Sequence, residues 1–182
     1  MKEIEVKILE IDKEKVLKKI NELGAKKVFE GQLVAVFYDF ADSRLTKEGK
    51  RLRVRQKGSL VEMTLKSNIT KKIVKSADEY KIELNSLEEL RHIFSEIGLK
   101  EILRFEKHRS SWHLNQIAFE IDTFPGLPPL LEIEAPNLQE IQKYVKIFGY
   151  EMKDTKPWSA VEVCQHYGIK LNNLSKLEAP NE

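Results

Sequence analysis

The chain has 182 residues, which is enough for one sizeable hydrophobic core but short for two domains. Charged residues make up 33%, yet the 31 basic and 29 acidic residues leave a net charge of only +2, which argues against a chain that binds nucleic acid through bulk charge. A single cysteine excludes an internal disulfide, and the sequence has neither an apolar signal region nor a membrane-spanning run, so we expect a cytoplasmic protein with no membrane association.

The first half of the chain predicts a strand, a helix and then two strongly charged strands. Apolar and polar residues alternate strictly in each strand, which is the period of a β-strand with one face in each environment. A helix is predicted from Asp12 to Gly24, and segment 41–50 is predicted as a loop. The polar rows of the three strands are Glu3, Glu5 and Lys7, then Arg51, Arg53, Arg55 and Lys57, then Glu62, Thr64 and Lys66.

The second half continues with strands and three more helices. Segment 67–78 is predicted as a mobile loop, and the prolines of Phe124–Leu130 predict a turn or an extended connection. The helices are predicted from Ser86 to Gly98, from Asn137 to Gly149 and from Ser159 to about Gly168, each with a capping residue in front. The polar rows of the strands are Glu79, Lys81 and Glu83, then Lys107, Arg109 and Ser111, then Glu120 and Asp122, then Glu132 and Glu134.

Several of these rows concentrate one sign of charge, whereas the solvated face of an ordinary antiparallel sheet mixes its signs more. Acid is concentrated at Glu3/Glu5, Glu120/Asp122 and Glu132/Glu134, and base at Arg51/Arg53/Arg55 and Lys107/Arg109. Side chains two apart on a strand lie about 7 Å apart, and two carboxylates at that distance repel by roughly 2 kcal/mol. Hard divalent cations relieve such crowding, because carboxylate oxygens are the ligands that Mg²⁺ and Mn²⁺ prefer. The arginine and lysine rows offer the contacts that a phosphate chain needs. The pattern therefore predicts a divalent metal together with a polyanion.

A closed barrel brings all of these faces together, with the polar faces inward and the apolar faces outward under the helices. About eight strands would leave an interior just large enough for a small ligand. The predicted class is therefore α+β, with an eight-stranded antiparallel β-barrel, a polar interior and flanking helices.

Five motifs in this order resemble the CYTH superfamily, the triphosphate tunnel metalloenzymes, over residues 1–168, and leave 169–182 as a tail. The motifs are EIEVK at 3–7, LRVR at 52–55, EMTLK at 62–66, EKHR at 106–109 and LEIEA at 131–135. The resemblance implies an eight-stranded antiparallel tunnel that binds a triphosphate with Mg²⁺ or Mn²⁺. Family members include class IV adenylate cyclases, thiamine triphosphatases, and inorganic and nucleoside triphosphatases.

The resemblance also implies roles for individual residues. The metal ligands would be Glu3, Glu5, Glu132 and Glu134, with Asp122 near a second ion that activates water. The triphosphate contacts would be Lys7, Arg53, Arg55, Lys66 and Arg109, with Lys107 and Lys156 on a looser match. Lys7 and Asp122 are the residues expected to act in the reaction. The sequence departs from the family pattern at Asp78, Glu79 and Lys81, where many members have an arginine, and at Trp158–Ser159.

Several functions stay open at this point. The leading hypothesis is a triphosphatase acting on tripolyphosphate or on a nucleoside or thiamine triphosphate. The alternatives are an adenylate cyclase, which also needs a base pocket, and a non-catalytic module that binds polyphosphate or nucleotide. The basic stretch Arg44–Lys57 raises RNA binding, but its arginines alternate with apolar residues, so we expect no specific nucleic-acid binding. The oligomeric state is open, with a homodimer as one alternative.

A few conspicuous side chains are expected to be structural. Tyr38 and Asp39 match a family motif, but a tyrosine that ends a barrel strand is more often structural than catalytic. Cys164 and Trp112 are expected to pack in the interior. The four histidines have no metal-ligand spacing.

Overall fold

Nine strands and five α-helices make up the part of the chain that the computed structural model describes, which is residues 2–169 with side chains from Ile4 onward. The strands are β1 (Lys2–Ile8), β2 (Lys26–Phe40), β3 (Arg51–Lys57), β4 (Leu60–Lys71), β5 (Lys75–Leu84), β6 (Leu99–Leu114), β7 (Ile117–Thr123), β8 (Leu130–Ala135) and β9 (Thr155–Lys156). The helices are α1 (Lys13–Glu22), α2 (Arg44–Lys47), α3 (Leu87–Glu96), α4 (Leu138–Ile147) and α5 (Ala160–His166), with a 3₁₀ turn at Met152–Asp154.

Eight of the strands close into an antiparallel barrel. Their order is β5-β4-β3-β2-β6-β7-β8-β1, and β1 pairs back to β5. The closing contact is short, from Lys2 opposite Asp78 to Glu5 opposite Lys75. The ninth strand, β9, pairs with the last two residues of β1. The predicted eight-stranded antiparallel barrel with flanking helices is confirmed.

The four predicted helices form because their ends are satisfied locally. Asp12, Ser86, Asn137 and Ser159 each accept a hydrogen bond from a backbone N–H in the first turn, at 3.0 to 3.4 Å. Gly149, which ends α4, has a φ of 87°, a conformation that glycine adopts without the clash a Cβ would cause. Capping and end signals in the sequence therefore located these helices correctly.

Helices cover the outer face of the barrel on two sides. On one side, α1 and α4 pack over β1, β7 and β8, in a core that includes Val6, Ile20, Phe119, Ile133 and Ile141. On another side, α3 packs over β2, β3 and β4 through Leu90 and Phe94. The apolar rows of these strands thus face outward, which leaves their charged rows facing the interior.

Helix α5 packs differently, because it contacts residues that line the barrel interior. Its Val163 and Cys164 lie in one buried cluster with Leu33 and Ala35 of β2 and with Phe105 of β6. Those β2 and β6 residues also line the interior cavity. The lining therefore includes an apolar part on β2 and β6, which α5 partly covers, in addition to the predicted charged rows.

Two segments predicted as loops contain regular structure. Segment 41–50 holds α2, whose amides at Leu45 and Thr46 donate to the side chain of Asp39. Segment 67–78 is wrong as a loop, because β4 continues to Lys71 and β5 begins at Lys75. The ladder between them slips at Ser67/Thr70, and Asn68 has a φ of 50°. Backbone pairing between β4 and β5, and between β5 and β1, stabilises this polar hairpin. Local composition gives no sign of either pairing, so the sequence predicts a loop there.

The prediction of a separate tail falls mainly outside the described residues, which end at Ile169. Ile169 itself packs against the α5 cluster. Within residues 2–169, no helix has the length and apolar character needed to cross a membrane.

Candidate functional site

The barrel encloses a cavity of about 650 Å³, a size typical of small-molecule sites. Among the described residues, eleven basic side chains and seven acidic ones line it, an excess of four positive charges. The basic residues are Lys7, Arg51, Arg53, Arg55, Lys57, Lys66, Lys71, Lys75, Lys81, Lys107 and Arg109, and the acidic ones are Glu5, Glu62, Glu79, Glu120, Glu132, Glu134 and Glu162. Such a lining favours a small polyanion.

Carboxylates concentrate on three neighbouring strands because of the strand register. Glu5 of β1 lies directly opposite Glu134 of β8, and Glu132 of β8 lies directly opposite Glu120 of β7. Directly opposed residues have Cβ atoms about 5 Å apart. Four acidic side chains therefore share one wall of the cavity.

Lysine ammonium groups compensate the charge of this wall. Lys7 Nζ lies 2.8 Å from Glu5 Oε1 and 2.6 Å from Glu132 Oε2, and Lys75 Nζ lies 2.8 Å from the same Glu5 oxygen. Burial raises the pKa of Glu5, but the charges of Lys7, Lys75 and Lys66 outweigh that effect and hold the pKa below its usual range. Burial lowers the pKa of Lys7, but the charges of Glu132 and Glu5 raise it by more, so that it lies above its usual value. Lys7 and Glu5 are therefore both ionised.

A second buried cluster surrounds Asp122, which is fully shielded from solvent. Arg109 donates from Nε and from one terminal nitrogen to the two oxygens of Asp122, both at 2.6 Å, and also pairs with Glu120. Lys107 donates to Asp122 as well. Burial raises the pKa of Asp122, but Arg109 and Lys107 lower it by more. Burial and the charge of Arg109 lower the pKa of Lys107 to about 7.

The arginine row of β3 faces these clusters. Arg53 and Arg55 line the cavity, and the Nε of Arg55 is buried with no hydrogen-bond partner among the described residues. Burial and the positive charge of Arg109 lower the pKa of Arg55. An unsatisfied buried donor is costly, and an anionic oxygen in the cavity would satisfy it.

The structure brings together most of the residues that the sequence singled out. Glu5, Lys7, Arg53, Arg55, Lys66, Lys107, Arg109, Glu132 and Glu134 all line the cavity. Asp122 lies behind the lining, paired to Arg109. Lys156 is not part of the lining; it pairs with Lys7 through the backbone, and its Nζ lies 5.6 Å from the ring of Trp158. The side chain of Glu3 falls outside the described part of the structure.

Sequence reasoning missed several cavity residues. Lys75 was overlooked because it lies in the segment predicted as a loop, although its ammonium contacts Glu5. Phe37 and Leu103, which are half-buried on the cavity wall, belong to strands without a charged row at that point. Glu120 belongs to a predicted polar row that carries no predicted role, yet it pairs with Arg109. The contacts of these residues cross between strands, so local alternation carries no signal for their roles.

The donor chemistry of the acidic wall fits a hard divalent cation, because carboxylate oxygens are preferred by Mg²⁺ and Mn²⁺. Glu5, Glu132 and Glu134 are the described residues that would hold such an ion. Within residues 2–169, however, no three or more acidic, histidine or cysteine side chains converge in a metal-binding arrangement. Lys7 pairs with both Glu5 and Glu132, so a cation held by these carboxylates would compete with the Lys7 ammonium group.

The side chains expected to be structural have structural contacts. Tyr38 donates from its hydroxyl to Glu101 at 3.1 Å, and Asp39 is buried and accepts from three backbone amides. Trp112 is buried in the core under α1 and α4. Cys164 of α5 is buried, and burial raises the pKa of its thiol to about 11. These contacts support the barrel.

Comparison with known proteins places these features in context. The CYTH domain family model matches residues 1–155. A Methanocaldococcus jannaschii protein named "Putative adenylate cyclase" is 27% identical over 156 residues, which cover 86% of this chain and 89% of that protein.

Two solved structures show the same fold. A "putative adenylate cyclase" from Vibrio parahaemolyticus is 17% identical with a TM-score of 0.80, covering 90% of this chain and 97% of that one. A Hippeastrum "putative adenylyl cyclase", described as having a dominant triphosphatase activity, is 15% identical with a TM-score of 0.64, covering 93% of this chain and 97% of that one.

Proposed function

Because the chain belongs to the CYTH domain family, we propose that it is a divalent-metal-dependent triphosphatase that hydrolyses a triphosphate inside the barrel. The substrate class is tripolyphosphate or a nucleoside or thiamine triphosphate. The similar proteins from Methanocaldococcus jannaschii and Vibrio parahaemolyticus are named as putative adenylate cyclases, and the Hippeastrum protein is described as having a dominant triphosphatase activity.

The observation that carries the proposal is that phosphate-binding bases and a wall of carboxylates line one cavity. Basic residues of β3, β4 and β6 line it together with the carboxylates of β1, β7 and β8. Simple anion binding needs the bases but gains nothing from Glu5, Glu132 and Glu134. Carboxylates beside a phosphate site are what a bridging divalent cation requires. This is also why a non-catalytic binding module is the weaker alternative.

The chain's own residues would perform distinct tasks in the reaction. Arg53, Arg55 and Arg109 would bind phosphate oxygens and neutralise charge as it moves toward the leaving group. Lys66 and Lys7, which pair with the wall carboxylates Glu5 and Glu132 respectively, would fix the orientation of the phosphate chain relative to that wall. Mg²⁺ or Mn²⁺, held by Glu5, Glu132 and Glu134, would supply further positive charge at the phosphate oxygens.

Water would attack the terminal phosphorus, and the bond from that phosphorus to the bridging oxygen would break. Orthophosphate and the shortened diphosphate leave, and one proton is released at neutral pH. No covalent bond to the protein is needed. The buried cluster of Arg109, Lys107 and Asp122 would act by holding the Arg109 guanidinium in a fixed position, since its members are shielded and mutually paired.

An adenylate cyclase is the second candidate, and one feature of the cavity suits it, as it also suits a hydrolase of nucleoside or thiamine triphosphates. Phe37 and Leu103 are half-buried on the cavity wall beside Arg53, in a position to contact an apolar or aromatic group attached to the phosphates. Tripolyphosphate has no such group. A cyclase would use it to hold adenine while the ribose 3′ hydroxyl attacks the α-phosphate.

The experiment is product analysis with purified protein given tripolyphosphate, and then ATP, in Mg²⁺ and in Mn²⁺. The isosteric Glu134→Gln variant tests the wall, and exposed Glu22→Gln serves as the matched control. Orthophosphate release that depends on Glu134 and not on Glu22 supports the triphosphatase. Cyclic AMP with pyrophosphate transfers the assignment to the cyclase. Saturable triphosphate binding without either product would leave a binding module.

A further inference from the structure

Three lysine ammonium groups surround the carboxylate of Glu5. The Nζ atoms of Lys7 and Lys75 both lie 2.8 Å from its Oε1, and the Nζ of Lys66 lies 3.8 Å from its Oε2. Glu5 itself is only 5% exposed, so solvent does little to screen these charges. The positive charge around this carboxylate therefore exceeds its single negative charge.

This arrangement opposes the binding of a metal ion by Glu5. Any cation that coordinates a Glu5 oxygen lies next to an ammonium group that already contacts the same carboxylate, and like charges at such short range repel strongly. The cation also has to replace ion pairs that neutralise a buried carboxylate. In the free protein, lysine ammonium groups and a divalent cation therefore compete for the same oxygens.

Of the three lysines, Lys75 is the one that can leave Glu5 most easily. Lys7 and Lys66 each pair with a second carboxylate as well, at 2.6 and 2.8 Å respectively. Among the described side chains, the ion pair of Lys75 is with Glu5 alone. Lys75 also lines the cavity at the start of β5, so an anionic ligand in the cavity can reach its ammonium group.

A polyanion in the cavity changes this balance. Phosphate oxygens accept strong hydrogen bonds from ammonium groups, as carboxylate oxygens do. A bound phosphate chain therefore offers Lys75 a second acceptor and offsets the excess positive charge around Glu5. The carboxylate that Lys75 leaves can then coordinate a cation that also binds phosphate oxygens.

We propose that Lys75 keeps Glu5 from binding a free divalent cation, and that the polyanion releases Glu5 by taking over the Lys75 ammonium group. This role of Lys75 rests on the function proposed above, in which Glu5 is one of the ligands of the cation. Polyanion and cation then bind cooperatively, and each raises the affinity of the protein for the other by the same factor.

Equilibrium dialysis of Mn²⁺ against the full chain tests the role of Lys75 without turnover. In the absence of polyanion, Lys75→Met should bind Mn²⁺ about ten-fold or more tightly than wild type, because a positive charge beside the carboxylate is removed. Lys75→Arg keeps the charge and should bind Mn²⁺ as weakly as wild type. Thermal melting of each variant checks the fold, which is expected to persist because Lys7 still pairs with Glu5.

The matched control is Lys81→Met, which removes the same charge from the same strand. Lys81 also lines the cavity, but it lies opposite Thr64 of β4, whereas Lys75 lies opposite Glu5. The control should change the Mn²⁺ affinity by less than about three-fold. Equal tightening by Lys81→Met and Lys75→Met would overturn the proposal, because it would indicate net charge rather than contact with Glu5.

A second measurement on the wild-type chain needs no substitution. The dialysis is repeated with diimidotriphosphate, in which NH groups replace the bridging oxygens of tripolyphosphate, at equal concentration on both sides. Wild type should retain Mn²⁺ with this analogue and about ten-fold less without it. Equal retention with and without the analogue would overturn the role of Lys75 and leave the triphosphatase standing.

Two further outcomes are decisive. Retention of Mn²⁺ by Lys75→Met alone, with wild type unresponsive to the analogue, would overturn the release of Glu5 by the polyanion. If no variant retained Mn²⁺ under either condition, the cation would be removed from the proposed function itself, and the role of Lys75 with it.

Discussion

Arg109 and Asp122 form a two-bond ion pair in the interior of the barrel, with both nitrogen–oxygen distances at 2.6 Å. Both side chains are almost completely shielded from solvent. The pair joins β6 to β7, where these two residues lie directly opposite each other. Asp122 therefore fixes the guanidinium of a proposed phosphate contact before any ligand arrives.

Removing the carboxylate should destabilise the fold as well as the site. In Asp122→Ala, Arg109 and Lys107 remain buried without their shared partner, and breaking a buried pair typically costs about 3–5 kcal/mol. We expect a loss of that size in urea denaturation at neutral pH. Exposed Glu14→Gln should change stability by less than about 0.5 kcal/mol. A loss below about 1 kcal/mol for Asp122→Ala would show that the pair does not support the barrel.

Arg55 should separate binding from stability. Its Nε is buried without a hydrogen bond among the described residues, and burial already disfavours its charge. Arg55→Leu should therefore weaken tripolyphosphate binding by about 10- to 100-fold while leaving stability unchanged or higher. Isothermal titration calorimetry and urea denaturation measure the two quantities. Arg104→Leu, on the outward side of β6, is the control and should leave affinity unchanged.

Glu134 should affect metal use rather than phosphate binding. If the acidic wall holds the cation, Glu134→Gln should raise the Mg²⁺ concentration for half-maximal activity by about ten-fold or more. Binding of tripolyphosphate without metal should not weaken, because the substitution removes a negative charge from the cavity. Activity titrations against Mg²⁺ and calorimetry in chelator test the two halves. Unchanged Mg²⁺ dependence would remove Glu134 from the ligand set.

Asp39 should make stability depend on acid pH. Burial raises the pKa of Asp39, but hydrogen bonds from Thr46, Leu45 and Phe40 outweigh it and hold the pKa below its usual value. The stabilisation is complete above the unfolded pKa of about 4 and is lost as pH falls through the folded pKa. Asp39→Asn should cost about 1–2 kcal/mol at pH 7 and less in acid. Urea denaturation at several pH values measures this difference. A difference in unfolding free energy between wild type and variant that does not change with pH would contradict the prediction.

The sequence predicted the barrel because its strands carry charge on every second residue. Strict alternation in Glu3–Lys7 and Arg51–Lys57 placed one row inside and one outside without any knowledge of the partners. Strand β2 escaped this reasoning, because Leu33 and Ala35 pack inside against α5 while Val34 and Val36 pack outside. A strand that is apolar on both faces has no alternation to detect.

Local sequence by itself determined the helix ends, the charged rows and the residue types available for phosphate and metal. Tertiary structure alone decided which charges meet. Lys75 contacts Glu5 because β5 pairs with β1, which is distant in sequence. Glu120 contacts Arg109 because of the register between β6 and β7, which are joined by a turn. Alternation depends on neighbours along one strand, whereas ion pairs between strands depend on how the whole barrel closes.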